Sequence, residues 1–413
     1  MNEIIERADK ALRAHDLCDH CLGRLFAQVE TGTTNEERGR NMRIAVALER
    51  SARSEEMPSH DLCWLCEDSF NSIERFAEAA IEKLGTIEYD TFLIGTKVDP
   101  LMQDREERLW AEVGGDKAEP CKAEFNREIG KIVEARTGKQ VEFRSPDVVA
   151  VVDTRFAQVE LDIAPIFFYG RYRKYSREIP QTRWPCRVCQ GKGCKRCGNT
   201  GKMYQVSVQE VIGDIFLEEA GGADHFFHGM GREDIDARML GTGRPFVLEI
   251  SEPKKRHLDL DALTARVNEK GKDLAGFTGL RPSSREEVRQ IKAATPDKVY
   301  LAEVRPHGKV NKGQVDEVVQ SLSQARITQQ TPTRVAHRRA DLARQRAIHE
   351  LQMTEFNDDR FVLRLRTESG TYVKEFVSGD NGRTVPSLSA ALGVPCEVTA
   401  LDVIQVIDNS NEG

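Results

Sequence analysis

Eight of the ten cysteines fall into four Cys-x-x-Cys pairs: Cys18/Cys21, Cys63/Cys66, Cys186/Cys189 and Cys194/Cys197. Thiolates at that spacing wrap one cation, and two pairs close a tetrahedral zinc site with no place left for water. The second cluster is compact, with four residues between its pairs and Gly191, Gly193, Gly198 and Gly201 to let the backbone turn. The first is split by a long gap, and buried apolar thiols are its alternative, since free cysteine is often a core residue. Both sites are expected to be structural rather than catalytic. A different chemistry is offered by His225-Phe226-Phe227-His228-Gly229-Met230-Gly231-Arg232-Glu233-Asp234-Ile235-Asp236, the densest polar run in the chain. Acids next to glycines ordinarily mean a turn. On these residues alone Asp234 is a candidate carboxylate, Asp236 its rival, and the two histidines are packing or capping residues.

Phosphate is the third possibility. The chain of 413 residues carries a net charge of −7, which by itself argues against nucleic acid. The average hides an asymmetry: Arg171 to Lys202 holds ten Lys or Arg and the single acid Glu178. Local charge is what meets a phosphate. Arg171, Arg173, Lys174, Arg177 and Arg183 are interleaved with Tyr172, Tyr175 and Trp184. Arginine suits phosphate and aromatic faces stack on unpaired bases, although a strand would send Tyr172 and Tyr175 into the core. A second basic cluster comprises Arg334, His337, Arg338, Arg339, Arg344 and Arg346. There is no Gly-x-x-x-x-Gly-Lys-[Ser/Thr], Gly-x-Gly-x-x-Gly or His-Glu-x-x-His pattern. An enzyme here is expected to need no organic cofactor.

The elements that must position these residues are legible as patterns. Residues 2–14 place Ile4, Ile5, Ala8, Ala11 and Leu12 on one helical face. Helices are also predicted near Asn41–Arg53, Ile73–Leu84 and Lys122–Thr137. Strands are predicted at Tyr89–Gly95, Val148–Asp153 and Gln158–Ile163. Further on, Phe246–Ile250, Lys298–Val304, Phe361–Arg366 and Glu397–Val406 read as strands between helices. The period-two alternation of the third predicts a mixed or antiparallel sheet with one solvated face. The tail from Asp408 is expected to fray. No apolar run spans a bilayer, and the acidic start has no apolar leader core, so a cytoplasmic protein without a membrane partner is expected.

Three segments together resemble a known family. Gly231-Arg232-Glu233-Asp234 resembles the Gly-Arg-x-Asp motif of pseudouridine synthases. Lys298-Val299-Tyr300 resembles the strand bearing their active-site tyrosine, and Ser369-Gly370-Thr371-Tyr372-Val373-Lys374 resembles their Gly-Thr-Tyr-[Ile/Val]-[Arg/Lys] motif. Gly170–Trp184 and Gly231–Phe246 narrow the resemblance to archaeal and eukaryotic tRNA pseudouridine synthases with an N-terminal zinc module and a THUMP domain. It covers nearly the whole chain. It implies an α+β fold: a helical zinc module over 1–80, a THUMP-like domain over 81–168, and a catalytic domain over 169–408 containing the knuckle 186–197. It implies pseudouridine formation at uridine 55, with uridine 54 as a second target, in the TΨC arm of tRNA. Asp234 would be the catalytic carboxylate, with Tyr300 stacking on the flipped uracil and Lys374 holding Asp234 ionised.

With the resemblance, Arg171, Arg173, Lys174, Arg177, Arg183, Arg232, Arg338 and Arg339 become the expected RNA contacts. Zinc is the expected structural metal, tRNA the partner, and a monomer the expected state. Two rivals stand beside this reading. A non-catalytic zinc-knuckle RNA-binding protein would bind without isomerising. A module resembling the zinc knuckles of DnaJ-type chaperones would give Asp234, Tyr300 and Lys374 no reason to converge. Their convergence in one cleft is the discriminating observation.

Overall fold

A computed structural model describes residues 3–53, 55, 61–338, 340–357 and 359–407; of His337 and Arg338 it describes the backbone. The expected fraying tail and Arg339 lie outside the described residues, as does the side chain of Arg338. The chain forms two compact units, residues 1–164 with 252–256, and 165–251 with 257–413.

In the first unit, helices span Glu3–Ala14, Asn35–Ala52, Ile73–Leu84, Pro100–Val113 and Cys121–Thr137. The second starts earlier than the apolar pattern predicts. Thr34 and Glu37 close a capping box, each side chain taking the other's backbone N–H, so the helix nucleates before its first apolar residue. Strands β1 (Thr91–Lys97), β2 (Gln140–Val141), β3 (Val148–Asp153) and β4 (Gln158–Ile163) pair in the order β2-β1-β3-β4. One core runs from Ala8 through Cys63 and Phe92 to Val152, so the segments bearing Cys21, Cys63 and Cys66 and the sheet share their apolar interior.

The second unit is built on a ten-stranded mixed sheet. Its strands are β5 (Ile166–Lys174), β6 (Asp224–Gly229), β7 (Ala237–Ser251), β8 (Ala275–Ser283), β9 (Asp297–Pro306), β10 (Arg326–Gln330), β11 (Ala343–Asn357), β12 (Arg360–Thr367), β13 (Thr384–Val385) and β14 (Cys396–Ile407). The order is β13-β10-β11-β12-β9-β14-β7-β5-β8, with β6 on β7. Only the β14–β7 pair is parallel. Two apolar cores flank that junction, and Tyr300 of β9 packs against both. Tyr172 is fully buried, as strand alternation requires. Tyr175 is exposed, against expectation, because it lies three residues from Tyr172 and so falls on the opposite side of the alternation, just past the end of β5 at Lys174.

β7 is interrupted by a bulge that only glycine permits. Gly241 has φ +56°, and a Cβ there would lie 1.8 Å from the Ile404 carbonyl oxygen. Arg171 donates to the Thr242 and Gly243 carbonyls at 2.9 and 3.0 Å, and Arg173 to Gly241 at 2.7 Å. Two arginines of the basic stretch therefore hold the backbone that opens β7.

Candidate active site

The turn between β6 and β7 carries Asp234, and most of its carbonyls are bonded. Arg244 donates to Met230 O (2.8 Å), Gln181 to Gly231 O (3.0 Å) and the Ala237 N–H to Asp234 O (3.1 Å). Lys174 donates to Ile235 O (2.6 Å) and Arg177 to Asp236 O (3.0 Å). Bonding of this density fixes a turn that has no regular ladder of its own. Glu233 points inward. Its carboxylate accepts Arg244 Nε at 3.0 Å and the Tyr172 hydroxyl at 2.8 Å, and both charged side chains are 1% exposed. Gly231, at φ +74°, passes Arg244 so closely that a Cβ would sit 3.3 Å from Nη1.

With Glu233 anchored inside, Asp234 and Asp236 project outward, their side chains 37% and 64% exposed. Lys374 reaches them from the short helix Val373–Ser378. Its Nζ lies 2.6 Å from Asp236 Oδ2 and 3.8 Å from Asp234 Oδ2. Burial raises the Asp236 carboxyl, but the Lys374 bond and charge outweigh it and hold the group below its ordinary value. Arg334 is the closer cation to Asp234, with Nη1 and Nη2 at 3.1 and 3.0 Å. Burial pushes the Tyr300 phenol up to about 12; Arg244 opposes this, and the Asp234 and Glu233 charges add to it. The phenol thus lies within the field of Asp234 and stays protonated at neutral pH.

The arginines expected to meet RNA have varied surroundings. Lys174 is fully buried, and its ammonium serves the Ile179 and Ile235 carbonyls. Burial brings it down to about 8, with Glu233 and Asp236 working the other way. Arg177 donates to Leu401 O and to Asp402 Oδ1. Arg183 donates to Asp224 Oδ1 and the His225 carbonyl. Arg232 is exposed and lies over the Trp184 ring at 5.3 Å. Charge composition finds these residues but says nothing of internal acceptors. His225 is buried against Gln209 and Asp214, and His228 bonds Glu249, consistent with packing roles. Sequence reasoning missed Arg334 as a site member, and Glu375 and the Glu233–Arg244 clamp altogether. Glu233 had one usable signal: it adjoins Asp234 in a tight turn, where neighbours face opposite ways.

Asp402 joins this scaffold through Arg177 and through a two-point bond from Arg238 (2.9 and 2.6 Å). Burial raises its carboxyl, but the two arginines lower it further. A carboxyl depressed in the folded state stabilises above the unfolded value near ~3.9 and loses that stabilisation as pH falls through the folded value. Asp402→Asn is therefore expected to cost about 2 kcal/mol near neutrality. In urea titrations the gap from wild type should narrow below about pH 4. An equal gap at pH 3 and pH 7 would show that the charge is not its source.

The four thiols of Cys18, Cys21, Cys63 and Cys66 lie within 4.8 Å of one another, as do those of Cys186, Cys189, Cys194 and Cys197. Sulfur separations are 3.6 Å for Cys18–Cys66 and 3.7, 3.8 and 4.0 Å in the second group. Four sulfurs ~2.3 Å from a tetrahedral zinc stand roughly 3.8 Å apart, so both groups fit that ion. In the second, the N–H groups of Gly193, Cys194 and Gly201 donate to sulfur, as thiolate ligands require.

Two family models match the chain: "Pus10, C-terminal" over residues 167–407 and "Pus10 THUMP domain, archaeal" over 76–153. A Methanothrix thermoacetophila protein named tRNA pseudouridine synthase Pus10 is 41% identical, covering 98% of this chain and 95% of its own. Proteins of the same name from Halorubrum lacusprofundi and Pyrococcus furiosus are 40% and 39% identical, covering 98% of this chain and 96% and 98% of theirs. Among solved structures, a Cbf5-Nop10-Gar1 complex chain gives a TM-score of 0.31 at 17% identity, over 48% of this chain and 45% of its own.

Proposed function

Since the chain belongs to the Pus10 family of tRNA pseudouridine synthases, we propose that it isomerises uridine 55, and uridine 54, of tRNA through Asp234. The observation that carries this reading is the approach of Lys374 to Asp234 and Asp236 on a turn whose backbone is held by Lys174, Gln181 and Arg244. The N1–C1′ bond breaks, the uracil rotates, a C5–C1′ bond forms, and the C5 proton leaves as N1 gains one. Asp234 offers its carboxylate to the ribose, with Lys374 3.8 Å from it, and Tyr300 bounds the base. The target atoms are hidden in stacked RNA, so the nucleotide is extruded into the site. Residues 1–80 and 81–168 dock the tRNA, and the catalytic domain is 169–408. Among the expected contacts whose side chains are described, Arg183 and Arg232 are exposed. Lys174, Arg171 and Arg173 act by holding the backbone. The protein works as a cytoplasmic monomer.

The test is incubation with an unmodified tRNA transcript, followed by chemical mapping of pseudouridine. Product at 55 and 54 is expected; a transcript left unmodified at both overturns the reading. Zinc would be held by the two cysteine groups as a structural ion and take no part in the chemistry. Elemental analysis of protein purified without added metal should find about two zinc ions per chain, falling to about one in Cys63→Ser/Cys66→Ser. A metal content unaltered by that double substitution would remove the first site.

A further inference from the structure

The two cations at Asp234 are held differently. Lys374 is committed to Asp236 and stands farther from Asp234. Arg334 bridges two carboxylates. Its Nε donates to Glu375 Oε1 at 2.6 Å, while Nη1 and Nη2 face Asp234. The Glu375 side chain is 7% exposed, against 39% for Arg334 and 37% for Asp234. One end of the guanidinium is therefore anchored in the protein and the other lies at the solvent side of the carboxylate. The turn beneath is tied by the Thr333 N–H, which donates to Asp380 at 3.0 Å.

We propose that Arg334 is an exchangeable clamp: without RNA it caps Asp234, and when tRNA enters it turns its outer edge onto a backbone phosphate beside the target nucleotide. This rests on Asp234 being the reacting carboxylate. A carboxylate that must approach a ribose cannot keep both oxygens in a fork on its open side. Guanidinium meets phosphate in the same two-point geometry as carboxylate, so the exchange conserves charge-assisted bonds. Three acids (Asp234, Asp236, Glu375) face Arg334 and Lys374 here. An arriving phosphate needs a cation that can turn to it. Arg334 can do so from its Nε bond without stranding the buried Glu375 carboxylate.

Arg334→Ala, Arg334→Lys and Glu375→Gln test this with an unmodified tRNA transcript over a range of KCl concentrations. Arg334→Ala should raise KM roughly tenfold or more, a larger factor than any fall in the single-turnover rate at saturating tRNA. Its filter-binding salt slope should drop by about one. Arg334→Lys, a point charge, should restore the slope but only part of the KM. Glu375→Gln should give an intermediate KM, because the anchor weakens. An unchanged KM and salt slope with a fallen saturating rate would overturn the proposal and make Arg334 a permanent orienter of Asp234. Failure of the underlying assignment looks different: Asp234→Asn would then form undiminished product, whereas the salt slope needs no turnover at all.

Discussion

Asp234→Asn is expected to lower single-turnover pseudouridine formation by at least about 10³-fold while leaving the protein folded and able to bind tRNA. The substitution keeps the side chain's shape and removes its charge. The turn survives, because it is fixed by the carbonyls of Met230, Gly231, Ile235 and Asp236 and by Glu233, none of which involves the Asp234 carboxylate. The reaction is read as tritium released from C5 of labelled uridine. Asp236→Asn is the paired measurement. Asp236 holds Lys374 at 2.6 Å, so its loss should lower the rate only about tenfold, through Lys374, as for one charge-assisted bond. A loss at Asp236 matching that at Asp234 would exchange their roles.

The largest effect on stability is expected from Arg244→Met. Arg244 is fully buried and ties Glu233 to the Met230 carbonyl. Removing it leaves a carboxylate 1% exposed with only the Tyr172 hydroxyl as a close donor. Breaking one side of a buried pair costs about 3–5 kcal/mol, much of it the stranded charge. The urea midpoint of the second unit should fall accordingly. Arg244→Met/Glu233→Gln should recover part of the loss, because the neutral amide needs no counter-charge. A single-variant cost under about 1 kcal/mol, or a double variant no better than the single, would mean the clamp does not hold the turn.

Site members differ in how far they could be read from the chain. The cysteine pairs are legible because their ligands are local: a Cys-x-x-Cys turn is set by its own backbone. Helix Ile73–Leu84 is legible by periodicity and strand Val148–Asp153 as a short apolar run, whereas the start of Asn35–Ala52 is set by a polar capping box that apolar spacing does not show. Asp234, Tyr300 and Lys374 could be named from three short motifs, but their distances could not. Arg334 lies 100 residues from Asp234 in the chain, and no spacing rule connects a turn after β10 to a turn after β6.

By itself the sequence pointed to two four-thiol groups, a mixed α+β architecture and the family, and offered Asp234 as a candidate carboxylate. Each follows from local spacing or from a contiguous motif. Tertiary structure decided what each charge is for. It sent Lys174 inward to two carbonyls, gave Arg171 and Arg173 to a glycine bulge, buried Glu233 beneath Asp234, and set Arg334 against it. The physical reason is that a charged side chain is defined by its acceptor. In a sheet that joins residues 166 to 407, that acceptor usually comes from another part of the chain.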